Sequence, residues 1–256
     1  SQEENMNTGI NSNGWKIIKR LLSLDEKSFN KPRILIDTKH MSINARMEFL
    51  EFIADYNKHR PESKKIPVIA SHIGYSGWPS LNDALIETDN DDKYDKSLSE
   101  FNVCSLNVTD DEIRAINRSG GLIGLNLDQR ILSGQKIIDN KPTLHNLEKV
   151  RKYWGNQLFK NITGIVKAVI DFDGSTISDK KSIWNRIALG TDFDGMIQPV
   201  EAFITAIDFS ALKKELIDEF IYWPEFNRYN MGYSPIQLVD NILYKNAYKF
   251  ALKHYK

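Results

Sequence analysis

Short apolar runs that end in polar turns alternate along this chain with stretches whose apolar residues recur every three or four positions. The clearest run is Ile187-Ala188-Leu189-Gly190-Thr191-Asp192-Phe193-Asp194-Gly195. Three apolar residues pass straight into a small polar turn with no helical period, as in a strand buried on both faces of a parallel sheet. Arg33–Asp37, Pro67–His72 and Leu122–Leu127 repeat the pattern and predict three further strands. Between them the spacing predicts helices. One starts at Asn11–Gly14 and carries Trp15, Ile17, Ile18, Leu21 and Leu22, and a second runs from Ile43 to Tyr56 behind Ser42 as N-cap. Thr109-Asp110-Asp111-Glu112 has the form of a capping box that opens a helix through Ile116, which Gly120-Gly121 stops. A long helix spans 144–168 with Leu147, Val150, Trp154, Leu158, Ile162 and Ile165 on one face, and two more cover 208–221 and 235–254.

The order is a helix followed by four strand–helix units, which predicts an α/β fold with a parallel sheet. Residues 1–13 are polar and Asn-rich and are expected to be a flexible segment ahead of a domain over 14–256. Residues 73–105 are long, acidic and weakly periodic, so they are expected to form an inserted surface excursion, with Asp89-Asn90-Asp91-Asp92 at its most charged point.

In parallel α/β folds, chemistry collects at the carboxyl ends of the strands. Three of the four predicted strands end in residues that bind metals or move protons: His40 just past the first, His72 closing the second, and Asp192 just past the fourth. Neighbouring parallel strands lie roughly 4.8 Å apart, so the two imidazoles can converge on one ion. A lone strand-end histidine is more often structural, and a lone Asp192 more often caps the next helix. Their matching positions favour the joint reading.

Composition narrows the partners. Lys plus Arg number 34 and Asp plus Glu number 34, so no net field draws the chain to nucleic acid or to a membrane surface. No apolar run approaches the roughly 18 residues of a membrane span, and the start of the chain lacks the apolar segment of a signal peptide. The single cysteine, Cys104, rules out an internal disulfide framework and suits either redox compartment, so no localisation follows.

Five segments, taken in order, resemble the membrane (renal) dipeptidase family of zinc metallohydrolases. Ile36-Asp37-Thr38-Lys39-His40 resembles its D-L-[SA]-H strand, and Pro67-Val68-Ile69-Ala70-Ser71-His72 its P-V-I-x-S-H strand. Asn107–Ile113 resembles R-N-[VL]-x-D-[DE], Gly120–Gly124 resembles G-G-V-I-G, and Gly190–Gly195 resembles G-[SG]-D-F-D-G. Asn246 resembles the asparagine of the closing N-x-x-R helix. The resemblance implies a (β/α)8 TIM-barrel, amidohydrolase-like metallohydrolase with two zinc ions, of which this chain covers about the last four strand–helix units. It maps one ion's ligands to His40 and His72. Asp192 then contacts the substrate amine and is a candidate for proton transfer. The implied activity is hydrolysis of a small peptide or amide bond by a zinc-activated water. Two other readings are a hydrolase of another amide, lactam or cyclic acyl substrate, and a non-catalytic binding or structural member.

Two departures stand out. The family's H-x-D motif and bridging glutamate have no counterpart here, so the chain alone is expected to bind metal weakly and to be inactive. It is expected to associate, as a homo-oligomer or with the missing barrel half. Leu106 stands where the family has an arginine that grips the substrate carboxylate. Arg130, just past the Leu122–Leu127 strand, is the candidate to take over that grip.

Overall fold

A computed structural model describes residues 7–27, 31–89, 99–195 and 197–255. Helix α1 (Ser12–Leu21) is capped by Asn11, whose side chain accepts from Gly14 N–H. Helix α2 (Ile43–Asn57) is capped by Ser42, which accepts from Ala45 N–H. Strand β1 (Ile69–Ile73), helix α3 (Leu81–Asp89), helix α4 (Asp110–Ser119) and strand β2 (Leu122–Leu125) follow. The glycine signal after α4 works as expected, since Gly120 takes φ 78° and ends the helix in the left-handed region. Short helices α5 (Gln129–Leu132) and α6 (Gln135–Asp139) lead to the long α7 (Leu147–Ile170), then α8 (Ile177–Ser182) and strand β3 (Ile187–Leu189). Helices α9 (Phe209–Tyr222), α10 (Phe226–Tyr229), α11 (Pro235–Asp240) and α12 (Asn246–His254) complete the chain, with a π turn at Asn241–Lys245 joining the last two.

The three strands form a parallel sheet in the order β1–β2–β3. The expected strand at Arg33–Asp37 is not a strand: among the described residues only Asp37 pairs, by a single parallel bridge to Ile69. The reason lies upstream. Ile34 N–H donates to the Leu21 carbonyl at the end of α1, and the Ile34 side chain is 60% exposed. The segment therefore follows α1 and meets β1 only at its last residue.

The described residues of the excursion at 73–105 are built into the fold. Gly74 to Ser76 exchanges backbone hydrogen bonds with Val108, and α3 buries Leu81 and Ala84 against Ile43 of α2. Asn90, Asp91 and Asp92, with residues 93–98, lie outside the described residues, as do residues 1–6 of the expected flexible start. Residues 8–10 are tied to α2: Ser42 Oγ donates to the Thr8 carbonyl at 2.7 Å, and Ile10 N–H to Glu48 at 2.9 Å.

The core is centred on α7, which packs against α4 and α9. Val150, Trp154, Leu158, Ile162 and Ile165 are fully buried against Leu212, Leu216 and Phe220 and the strand residues Ile123, Leu125 and Ile187. Leu147 lies at the exposed end of that face. The half-buried Trp223 packs against the core, its indole stacked on the buried Tyr229 with centroids 5.2 Å apart. Asn246 at the start of α12 donates to the Trp184 and Ile187 carbonyls, both at 2.8 Å, and so pins the last helix to the start of β3. No helix among the described residues is long and apolar enough to cross a membrane.

The last turn carries a pH-dependent contribution. The His254 ring lies on Phe250, centroids 4.5 Å apart, with Nε2 buried and without a hydrogen-bond partner among the described residues. Burial, aided by Lys253 and Arg186, holds its pKa down at about 4. The unfolded chain takes up this proton near pH 6.5, the folded one only near 4. The contribution is therefore complete above pH 6.5 and is lost as pH falls towards 4. Allowing for the ring's partial exposure, it is on the order of 1 kcal/mol. His254→Phe should flatten the fall in denaturation free energy between pH 7 and pH 4.5 relative to wild type.

Candidate functional site

The site is built around an irregularity in β1. Ile69 and Ala70 pair with Leu122 and Ile123, but the next match is Ile73 with Leu125, so β1 holds one residue more than β2. Such a bulge re-aims side chains at a strand end. It swings the Ser71 carbonyl across the face of the sheet, over Gly124 and Gly190. A Cβ at Gly124 would lie 2.0 Å from that oxygen, and one at Gly190 only 1.7 Å. Glycine at both positions, one in β2 and one just past β3, is thus a condition for the bulge that presents His72.

A short polar chain then fixes the His72 ring. Asp37 accepts from the backbone N–H of Lys39 at 3.0 Å and of Ser71 at 3.1 Å, and from the Ser71 hydroxyl. That hydroxyl has one proton and gives it to Asp37, so towards His72 Nδ1, 2.6 Å away, it can only accept. The proton on Nδ1 leaves the lone pair on Nε2, the nitrogen that faces His40. Burial, then the Lys39 charge, hold His72 below the usual imidazole range and keep it neutral.

The two Nε2 atoms are 3.1 Å apart, with ring centroids at 5.0 Å. Nitrogens bound to one tetrahedral ion at roughly 2.0–2.1 Å would be about 3.3 Å apart. The imidazoles thus fit two corners of such a site. They do not complete one, because no cluster of three or more His, Cys, Asp or Glu suited to a metal occurs among the described residues. His40 and Asp192 both hold positive φ, 69° and 55°. Left-handed backbone at non-glycine residues is uncommon and concentrates at functional sites.

Asp192 is exposed, its carboxylate folded over Gly195, and its charge bears on both His72 and Lys39. Arg130 is placed differently from an open anchor. Its Nε and Nη2 donate to the two oxygens of Asp128 at 3.1 and 2.6 Å. Asp128 also accepts from Gln198 N–H at 3.1 Å. Although burial opposes its ionisation, these hydrogen bonds hold its carboxyl below the usual range. The fork expected to meet a substrate carboxylate already holds a carboxylate of the chain itself.

Lys39 lies between Asp37 and His40 in the turn that closes the first apolar run. It is 9% exposed, and its Nζ has no hydrogen-bond partner among the described residues. Burial lowers its pKa to about 8. Behind it, the Arg46 Nη1 donates to both Glu112 oxygens at 3.0 Å, and Nη2 donates to the Ser105 carbonyl. Burial pushes the Glu112 carboxyl up, while Arg46 and the Thr109 N–H oppose the shift. The capping box that announced α4 thus also clamps the 105–107 turn beside the site. Ser71 could have been suspected from its place before a strand-end histidine. Lys39 gave no signal, since lysine in a polar turn reads as surface.

No family model matches the sequence, and no curated protein matches it. Solved structures do. A metallo peptidase from Rhodobacter sphaeroides, liganded with a phosphinate mimic of the dipeptide L-Ala-D-Ala, superposes with a TM-score of 0.53 at 14% identity over 98% of this chain and 49% of its own. Dipeptidase AC, a metallo peptidase of family M19, gives 0.55 at 13% identity over 98% of this chain and 52% of its own. The likeness is one of fold. The chain spans about half the length of both neighbours.

Proposed function

We propose that this chain supplies one half of a (β/α)8 metallohydrolase site that cleaves a small peptide or amide bond. The observation that carries the reading is the pair of Nε2 atoms 3.1 Å apart at adjacent parallel segments, one with its tautomer set by Ser71. In this reading His40 and His72 hold a zinc ion, and the remaining ligands come from outside these residues. A bound zinc polarises a carbonyl and makes water nucleophilic near neutral pH. The chain's own residues supply the rest. Asp37 and Ser71 hold the His72 ring with Nε2 outwards, as hydrogen-bonded partners of metal-binding histidines do. In this reading Asp192, exposed three residues past β3, holds the substrate amine and passes a proton to the leaving group. Arg130 serves as carboxylate anchor only if it releases Asp128. The open side of the sheet is covered by the other half or by a second copy.

The test is metal analysis of the complete gene product combined with hydrolysis of simple dipeptides. Stoichiometric zinc and turnover are expected in the wild type, and both should fail in His72→Ala. Ser71→Ala frees the tautomer and should weaken zinc binding about 10- to 100-fold. A complete protein that binds no zinc, or whose zinc is indifferent to His40 and His72, would overturn the reading.

A further inference from the structure

The Lys39 ammonium is buried in this site with no hydrogen-bonded counter-ion among the described residues; Cys104, Asp37 and Asp192 act on it only through space. Asp37 is committed to Ser71 and the backbone, and Asp192 makes no hydrogen bond to Lys39 among the described residues. Arg46 is matched by Glu112 and Arg130 by Asp128. The adjacent turn, Cys104-Ser105-Leu106-Asn107, supplies no cation. A buried ammonium without a partner is strongly disfavoured, and a methionine of similar length would fill the space without that penalty. What would compensate it is an anion that enters from outside. Lys39 directly precedes His40, and its charge is felt at His72, so an anion held there lies beside the imidazole pair.

We propose that Lys39 is the specificity residue of this site, gripping the free carboxylate of a dipeptide or N-acyl amino acid whose scissile bond lies at the histidine pair. The assignment rests on the hydrolase reading for its substrate class, but the anion grip is testable without turnover. The occupant is a single carboxylate, because one ammonium on a short turn offers a point charge and no second cation for a phosphate.

The test is calorimetric binding of L-Ala-L-Ala and of its C-terminal amide to the complete protein. Wild type should bind the acid about tenfold to hundredfold more tightly than the amide, the range of one charge-assisted contact. Lys39→Met should reduce the acid's affinity to that of the amide. Lys39→Arg should keep part of the preference, which also guards against a Met variant that fails to fold. A preference that survives in folded Lys39→Met overturns the assignment, as does a wild type that binds both forms equally or neither. Loss of hydrolysis with the acid preference intact would instead sink the hydrolase reading and leave Lys39 as an anion site.

Discussion

Glu112→Ala is expected to lower the unfolding free energy by about 3–5 kcal/mol, a large part of the 5–15 kcal/mol typical of a domain. Arg46 and Glu112 are 4% and 1% exposed, so removing the carboxylate strands a guanidinium where water cannot reach it. Three further roles fail at once. Glu112 caps α4 through Thr109 N–H at 3.1 Å, and Arg46 holds the Ser105 and Asn107 carbonyls in the turn beside Lys39. Urea denaturation of the two proteins measures the cost. The double variant Arg46→Met/Glu112→Leu should regain much of the loss, because a buried pair replaced by apolar side chains is often near neutral. It should not regain all, since the turn carbonyls stay unsatisfied. A single variant that costs under about 1 kcal/mol would mean that the pair behaves as a surface ion pair.

Gly190→Ala should also be severe, and for a different reason. The new methyl would fall 1.7 Å from the Ser71 carbonyl oxygen, against 2.0 Å for Gly124→Ala. Neither contact can be relieved by rotating a side chain, because the opposing atom is backbone. Overpacking of this kind costs about 1–3 kcal/mol, occasionally more, and the Gly190 variant should lie at the upper end. Because both methyls push the same carbonyl, the double variant should cost less than the sum of the singles. Displacement of the bulge moves His72 away from His40, so imidazole NMR should show loss of the coupling between their rings. Additive costs with unperturbed histidine signals would show that the bulge has room to spare.

Much of the scaffold was legible because its signals are local. Ser42 and Thr109 open helices, Gly120 ends one, and the α7 stripe from Val150 to Ile165 is buried as its spacing requires. These depend on nearest neighbours and on a 3.6-residue period, which a sequence displays directly. The Arg33–Asp37 run misled for the complementary reason. Its apolar residues are what a strand needs, but pairing requires a neighbour along its whole length, and the end of α1 takes the Ile34 N–H instead.

At the site, residue types and strand-end positions marked His40, His72 and Asp192, because those chemistries are rare at the ends of apolar runs. The sequence alone therefore determined which strand ends carry candidate groups and which segments form the helices around them. Tertiary structure alone decided the working geometry: the one-residue bulge over Gly124 and Gly190, the Ser71 hydroxyl that sets the His72 tautomer, the pairing of Arg130 with Asp128, and the burial of Lys39. Apart from the Asp128–Arg130 pair, which is two residues apart, these depend on atoms brought together from separate segments of the chain, and on the exclusion of water between them. Neither leaves a period or a motif in any one segment.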